Sequence, residues 1–119
     1  LLKAFTPDAY TFILQATSEV PRLMLHPKRK TIGIRVPDHP VVSALLGELN
    51  EPLLSSTLIL PGENEPMADV GEIRETLIKQ VDLILDSGFC GLEATTVVSL
   101  VDDAPEVLRR GKADPFPFE

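Results

Sequence analysis

The sequence predicts an α/β domain built on a twisted mixed sheet, and three features carry that prediction. Residues 31–36 and 53–60 read as strands on either side of a ten-residue stretch with helical periodicity. Strand, helix, strand is a βαβ unit, which implies parallel pairing with a right-handed crossover. Residues 95–101 and 106–109 read as two short strands joined by Asp102-Asp103-Ala104-Pro105, a hairpin-like connection that adds antiparallel pairing. Finally, Tyr10 to Ala16 is rich in β-branched and aromatic residues and ends before the polar Thr17-Ser18-Glu19, a further strand.

Each element follows from local chemistry. The strand beginning at Thr31 is stopped by Pro37, which has no N–H to give to a ladder. In Asp38-His39-Pro40 the aspartate can cap a helix whose first turn tolerates proline, which leaves His39 either at a helix start or as a catalytic group. Val42, Leu45, Leu46 and Leu49 then fall at i, i+3, i+4 and i+7 on one apolar face, and Asn50-Glu51-Pro52 ends the helix. Residues 53–60 are apolar except for Ser55, Ser56 and Thr57, and their length without helical period predicts a buried strand. Gly62, Asn64 and Pro66 mark the following loop. Asp69, with Glu72 three residues later, is a capping-box-like start for a second helix with an apolar face of Val70, Ile73 and Leu77. Val81 to Leu85 reads as another buried strand, ended by Asp86-Ser87-Gly88, and the closing Pro-Phe-Pro-Phe as an ordered tail.

A chain of 119 residues is one domain at most and short for a two-substrate enzyme. It opens at Leu1 rather than Met, and Thr6-Pro7-Asp8-Ala9-Tyr10 feeds a strand already under way, so a fragment is expected. The formal net charge of -7 works against tight nucleic-acid binding by this chain alone. Lys28-Arg29-Lys30 is the one basic run and reads as a solvated turn leading into a strand in preference to an RNA contact, since three charges make a weak footprint. The single cysteine, Cys90, excludes an intrachain disulfide and a cysteine-rich zinc site, and is expected to serve packing in a reducing cytosol. No apolar run approaches the roughly 18 residues a membrane span needs, so a cytoplasmic protein without membrane contact is the expectation.

Standard catalytic signatures are absent: there is no phosphate loop with its terminal Gly-Lys, no G-x-G-x-x-G, no H-E-x-x-H and no C-x-x-C. His26 and His39 do not make a metal site. The run at residues 55–57 is more informative, because strand alternation puts Ser55 and Thr57 on one face and Ser56 on the other. Buried hydroxyls need partners, supplied either by neighbouring backbone or by a ligand's phosphates or carboxylate. Arg35, near the end of a strand just before the helix of the expected βαβ unit, stands where open α/β sheets bind ligands. Its guanidinium suits a two-pronged grip on carboxylate or phosphate, or an ion pair with an acidic side chain. Arg109 and Arg110, after a strand and before Gly111, pose the same alternatives.

From about Pro7 onward the residues resemble the YrdC/YciO family of threonylcarbamoyl-AMP synthases and their relatives. Pro7-Asp8-Ala9-Tyr10-Thr11 resembles the family's P-G-P-x-T turn, and Arg35-Val36-Pro37-Asp38-His39 its R-x-P-x-H. Ser55-Ser56-Thr57 stands where most members have S-A-N, Leu83 to Gly88 resembles I-L-D-G-G, Ala94 to Val98 resembles E-S-T-V-V, and Leu108-Arg109-Arg110-Gly111 resembles L-R-P-G. Order and spacing together carry the resemblance, and S-S-T-L, A-T-T-V and the closing Pro-Phe-Glu point to the YciO branch.

The resemblance implies the C-terminal part of a single YrdC-like domain over residues 1–119. It implies a reaction joining threonine, bicarbonate and ATP into threonylcarbamoyl-AMP with release of pyrophosphate, toward t6A in tRNA. Arg35, Ser55 and Thr95 would hold threonine or its carbamate, and Thr57 and Arg109 would contact ATP. Magnesium is expected on the phosphates. Alignment and charge neutralisation carry such a reaction, so no covalent nucleophile is assigned. Asp8-Ala9 in place of Gly-Pro, Thr57 in place of Asn and Arg110 in place of Pro depart from the family pattern. The family's basic K-x-R and its P-T-D-T segment have no counterpart, so the fragment alone is expected to bind ATP weakly and turn over little. The alternative the resemblance offers is a module that binds double-stranded RNA or tRNA without catalysis.

Overall fold

The computed structural model describes residues 2–26, 28–88 and 93–119. The chain divides into two units, Leu1–Pro52 with Glu93–Glu119, and Leu53–Leu92. The first unit holds β1 (Tyr10–Gln15), β2 (Thr31–Ile34), α1 (Pro40–Leu49), β3 (Thr96–Ser99) and β4 (Glu106–Arg109). The second holds α2 (Val70–Leu77). No helix among the described residues is long and apolar enough to cross a membrane.

The four strands form one mixed sheet in the order β2-β1-β3-β4. β1 pairs antiparallel with β2 and parallel with β3, and β4 returns antiparallel to β3. The mixed sheet, the first strand, the closing pair of strands and both helices agree with the sequence reading. The βαβ unit at 31–60 does not. β2 runs against β1, and residues 53–60 form no strand among the described residues, so the parallel neighbours are β1 and β3.

The physical reason lies in the three consecutive hydroxyl residues of the run, which a buried strand would have to supply with partners. Leu53 and Leu54 stay 50% and 62% exposed instead of entering a core. Ser55, Ser56 and Thr57 are exposed as well, so water satisfies hydroxyls that a buried strand would have had to pair. Residues 81–85 likewise form no strand; Leu83 is 74% exposed. Cys90, expected to pack, lies outside the described residues.

Helix ends follow local chemistry, with one change of residue. Asp69 caps α2 by accepting the Gly71 N–H at 3.3 Å, as its spacing predicts. At α1 the cap is His39, not Asp38: its Nδ1 accepts the Val42 N–H at 3.4 Å, and Pro40 takes the first helical position. Asn50 closes α1 in the left-handed region at φ 54°, which its short amide side chain tolerates.

One face of the sheet carries the core. Alternation sends Tyr10 and Phe12 of β1, and Thr96 and Val98 of β3, to that face, where Ala113 and Phe118 of the tail meet them. The Phe118 ring lies 4.8 Å from Phe5 in a tilted contact, and 5.5 Å from Tyr10 and 5.6 Å from Phe12 edge-on, as is typical of packed aromatics. The expected ordered tail is therefore a core element.

The Tyr10 hydroxyl donates to the Asp114 carbonyl at 2.5 Å. Burial, followed by the carboxylates of Asp8 and Asp114, raises its pKa above the ordinary 10.0. The folded protein thus holds this proton more tightly than the unfolded chain. The stability it contributes is complete below the unfolded value and is lost as pH rises through the raised one. Urea titrations at rising alkaline pH should show stability falling more steeply for the parent than for Tyr10→Phe.

Candidate active site

The site begins with two adjacent threonines whose side chains leave the chain on opposite faces. Thr96, at the start of β3, is fully buried on the core face. Thr95, one residue earlier, is half-buried and turns its hydroxyl the other way. There it lies 2.7 Å from the Thr11 hydroxyl of β1. Parallel pairing of β1 with β3, with Tyr10 beside Thr96, brings the two together across 84 residues of sequence.

Arg109, the last residue of β4, completes the group. Its Nε–H donates to the Thr95 carbonyl at 3.0 Å and one terminal nitrogen donates to the Thr95 hydroxyl at 2.9 Å. Two bonds to one residue hold the plane of the guanidinium, while its remaining N–H groups stay exposed. A planar, permanently charged group fixed on one side and open on the other is suited to phosphate or carboxylate. Arg110, the other arginine of this turn, is instead ion-paired with Glu119.

Gly111 makes this arrangement possible. A Cβ there would fall within 2.5 Å of the Thr95 carbonyl carbon and oxygen and closer still to the Ala94 carbonyl oxygen. These are backbone atoms of the segment that leads into β3, and unlike a flexible side chain they cannot swing aside. Gly111→Ala should therefore destabilise the protein by at least about 2 kcal/mol, in the range of overpacked cores, as read by urea denaturation.

The structure places the sequence-predicted residues unevenly. Thr95 and Arg109 are in direct contact. Arg35 follows Ile34, whose partner in the sheet is Phe12, so it emerges at the same end of the sheet as Thr11 and Thr95. It is exposed, and it makes no ion pair among the described residues. Because β2 runs antiparallel to β1, that end is the amino end of the parallel pair, not the carboxyl edge at which the expected βαβ unit would have placed Arg35. Ser55 and Thr57 lie in the second unit, on an irregular segment where the Ile59 N–H turns back to the Thr57 carbonyl at 3.0 Å.

Thr11 was not singled out by the sequence, although it closes the P-x-x-x-T turn at residues 7–11. Its period-2 offset from Tyr10 and Phe12 was the available signal, since a hydroxyl on the face opposite an aromatic core needs its own partner. His26 spends Nδ1 on the Lys28 and Arg29 N–H groups at 3.2 and 3.1 Å, holding the basic turn, which is exposed as expected.

No group of three or more His, Cys, Asp or Glu among the described residues could hold a metal ion. A cleft of about 540 Å³ on the second unit is lined by Glu63, Glu65, Asp69, Glu72 and Glu75 without a lysine or arginine. Its charge repels polyphosphate.

Fold and site together define an α/β domain with an exposed arginine held by the carbonyl and hydroxyl of Thr95, which is itself bonded to Thr11. The chain belongs to the Sua5/YciO/YrdC family, whose model, described as telomere recombination, matches residues 1–111. It is 52% identical over 118 residues to the Escherichia coli K12 protein YciO, described as uncharacterized, covering 99% of this chain and 57% of that protein. A Bacillus subtilis threonylcarbamoyl-AMP synthase is 32% identical over 112 residues, 93% of this chain and 32% of that enzyme. The crystal structure of E. coli YciO superposes with a TM-score of 0.90 at 52% identity, over 99% of this chain and 57% of that one. A P. abyssi Sua5 structure matches in fold, with a TM-score of 0.77 at 23% identity over 92% of this chain and 33% of that one. The chain thus spans a little over half, 57%, of the E. coli relative's length.

Proposed function

We propose that the full-length protein is a nucleotide-binding enzyme of the threonylcarbamoyl-AMP synthase type, which joins L-threonine, bicarbonate and ATP and releases pyrophosphate, toward t6A in tRNA. The observation that supports this reading best is the Arg109 guanidinium seated on Thr95, with Thr95 in turn bonded to Thr11. A hydroxyl has one proton and two lone pairs. If Thr11 donates to Thr95, both lone pairs of Thr95 are taken, by Thr11 and Arg109, and its proton is left for an anionic oxygen. In this proposal Arg109 and Thr57 contact ATP, while Arg35, Ser55 and Thr95 hold threonine or its carbamate, Arg35 at the carboxylate.

Charge neutralisation and alignment are what such a site contributes to in-line attack of a carbamate oxygen on the α-phosphorus. The described residues form no metal cage, so magnesium would arrive on the phosphates of ATP, keeping much of its water. The 119-residue chain by itself is proposed to bind ATP weakly, since it carries part of the clamp.

The test is pyrophosphate release by the full-length protein, measured with threonine and bicarbonate present or omitted in turn. Release that needs both supports the reading; release indifferent to threonine rejects it. The RNA-binding alternative draws on three cations in one exposed turn of a chain with net charge -7, a weak footprint for phosphate. Fluorescence titration with tRNA at low salt should show no binding by this chain.

A further inference from the structure

We propose that Thr96 is a positioning residue for Arg109: its buried hydroxyl fixes the turn that sets the direction of the guanidinium. This deepens the reading above and rests on it only for the identity of the ligand. Thr96 is fully buried on the core face, so it cannot touch a ligand gripped by Arg109 on the other. Its hydroxyl accepts the Gly111 N–H at 3.0 Å and donates to the Ala113 carbonyl at 2.6 Å. One side chain thereby pins two residues of the segment that follows Arg109.

The rest of that segment is stitched to the same place. The Lys112 N–H donates to the Ala94 carbonyl at 2.9 Å, the Tyr10 hydroxyl reaches the Asp114 carbonyl, and Phe118 is inserted among Phe5, Tyr10 and Phe12. Residues 94–96 are therefore gripped from both faces: the tail holds Ala94 and Thr96, and Arg109 holds Thr95. Gly111 permits the close approach, because any side chain would collide with the Ala94 and Thr95 backbone.

Arg109 needs such support. Its own strand has a register shift opposite Val97 and Val98, just before its last residue, so ladder pairing alone leaves its backbone direction weakly set. An arginine side chain also surrenders considerable rotamer freedom when it is held by two bonds. With the turn pinned at Gly111 and Ala113, Arg109 is delivered to Thr95 before any ligand arrives, and preorganisation of this kind is what raises affinity.

The test compares Thr96→Val, which keeps shape and loses the hydroxyl, with Thr96→Ser, which restores it. Two readouts are taken on the full-length protein. In nitrogen-15 NMR, the Arg109 Nε–H should be slow to exchange with solvent in the parent and in Thr96→Ser, and fast in Thr96→Val, with no ligand added. In calorimetry with magnesium-ATP, Thr96→Val should bind roughly 10-fold more weakly and Thr96→Ser within about 2-fold of the parent. An unchanged Arg109 signal in a folded Thr96→Val protein overturns the positioning role. Failure of the parent to bind ATP, with the NMR result intact, rejects the ligand assignment and leaves the positioning role standing. Should Thr96→Val fail to fold, Thr96→Ser decides: fast Arg109 exchange there overturns the proposal.

Discussion

Phe12→Ala is expected to destabilise the protein by about 3–5 kcal/mol, the largest loss of any single side-chain truncation in the first unit. Phe12 is 1% exposed, lies at the centre of β1 and touches Tyr10 and Phe118 with ring separations of 5.3 and 5.6 Å. Removing the ring takes away apolar burial and leaves a cavity that a strand paired on both sides cannot collapse. The contrast is Phe116→Ala. That ring is 77% exposed in the same tail, and its loss should change stability by less than about 0.5 kcal/mol. Urea denaturation midpoints of the two variants give the comparison directly, and equal effects would contradict a core centred on Phe12.

Arg109→Ala is expected to weaken ATP binding roughly 10- to 100-fold, the effect of losing hydrogen bonds from a charged group, while leaving the fold intact. The fold should survive because the side chain is exposed and the backbone ladder of β4 does not need it. Arg109→Lys should recover little. Lysine carries the charge but not the planar fork that bonds the Thr95 carbonyl and hydroxyl together. Calorimetric titration of the full-length variants with magnesium-ATP measures both, and an Arg109→Lys protein that binds as tightly as the parent would show that charge alone suffices.

What the sequence disclosed and what it concealed divide along a physical line. β1 announced itself through β-branched and aromatic content, and β3 and β4 through their hairpin-like connection, because those properties are local and the partners were present to use them. Asp69 and Asn50 announced helix ends for the same reason. The run at 53–60 misled because an apolar stretch of strand length reports only a tendency to be buried, and which strand pairs with which is not a local property. β2 pairs with β1 instead, and Leu54 remains 62% exposed.

The site was legible in parts. Thr95 and Arg109 came from the family resemblance and prove to be in contact, but their tie to Thr11 spans 84 residues and depends on parallel pairing that no local pattern announces. Arg35 was placed at the correct end of its strand and at the wrong edge of the sheet's parallel pair, because the direction of β2 was inferred from a crossover that does not exist. Gly111 looked like a turn residue in Arg110-Gly111. Its need for bare backbone contact with Ala94 and Thr95 is visible only once the tail is seen to fold back across them.

The most direct measurement is a crystal structure of the full-length protein with threonine and a non-hydrolysable ATP analogue. The predicted result is phosphate oxygens on the exposed N–H groups of Arg109, with its two bonds to Thr95 retained, and the threonine carboxylate on Arg35. Phosphates bound away from Arg109, with that guanidinium still turned to solvent, would contradict the account.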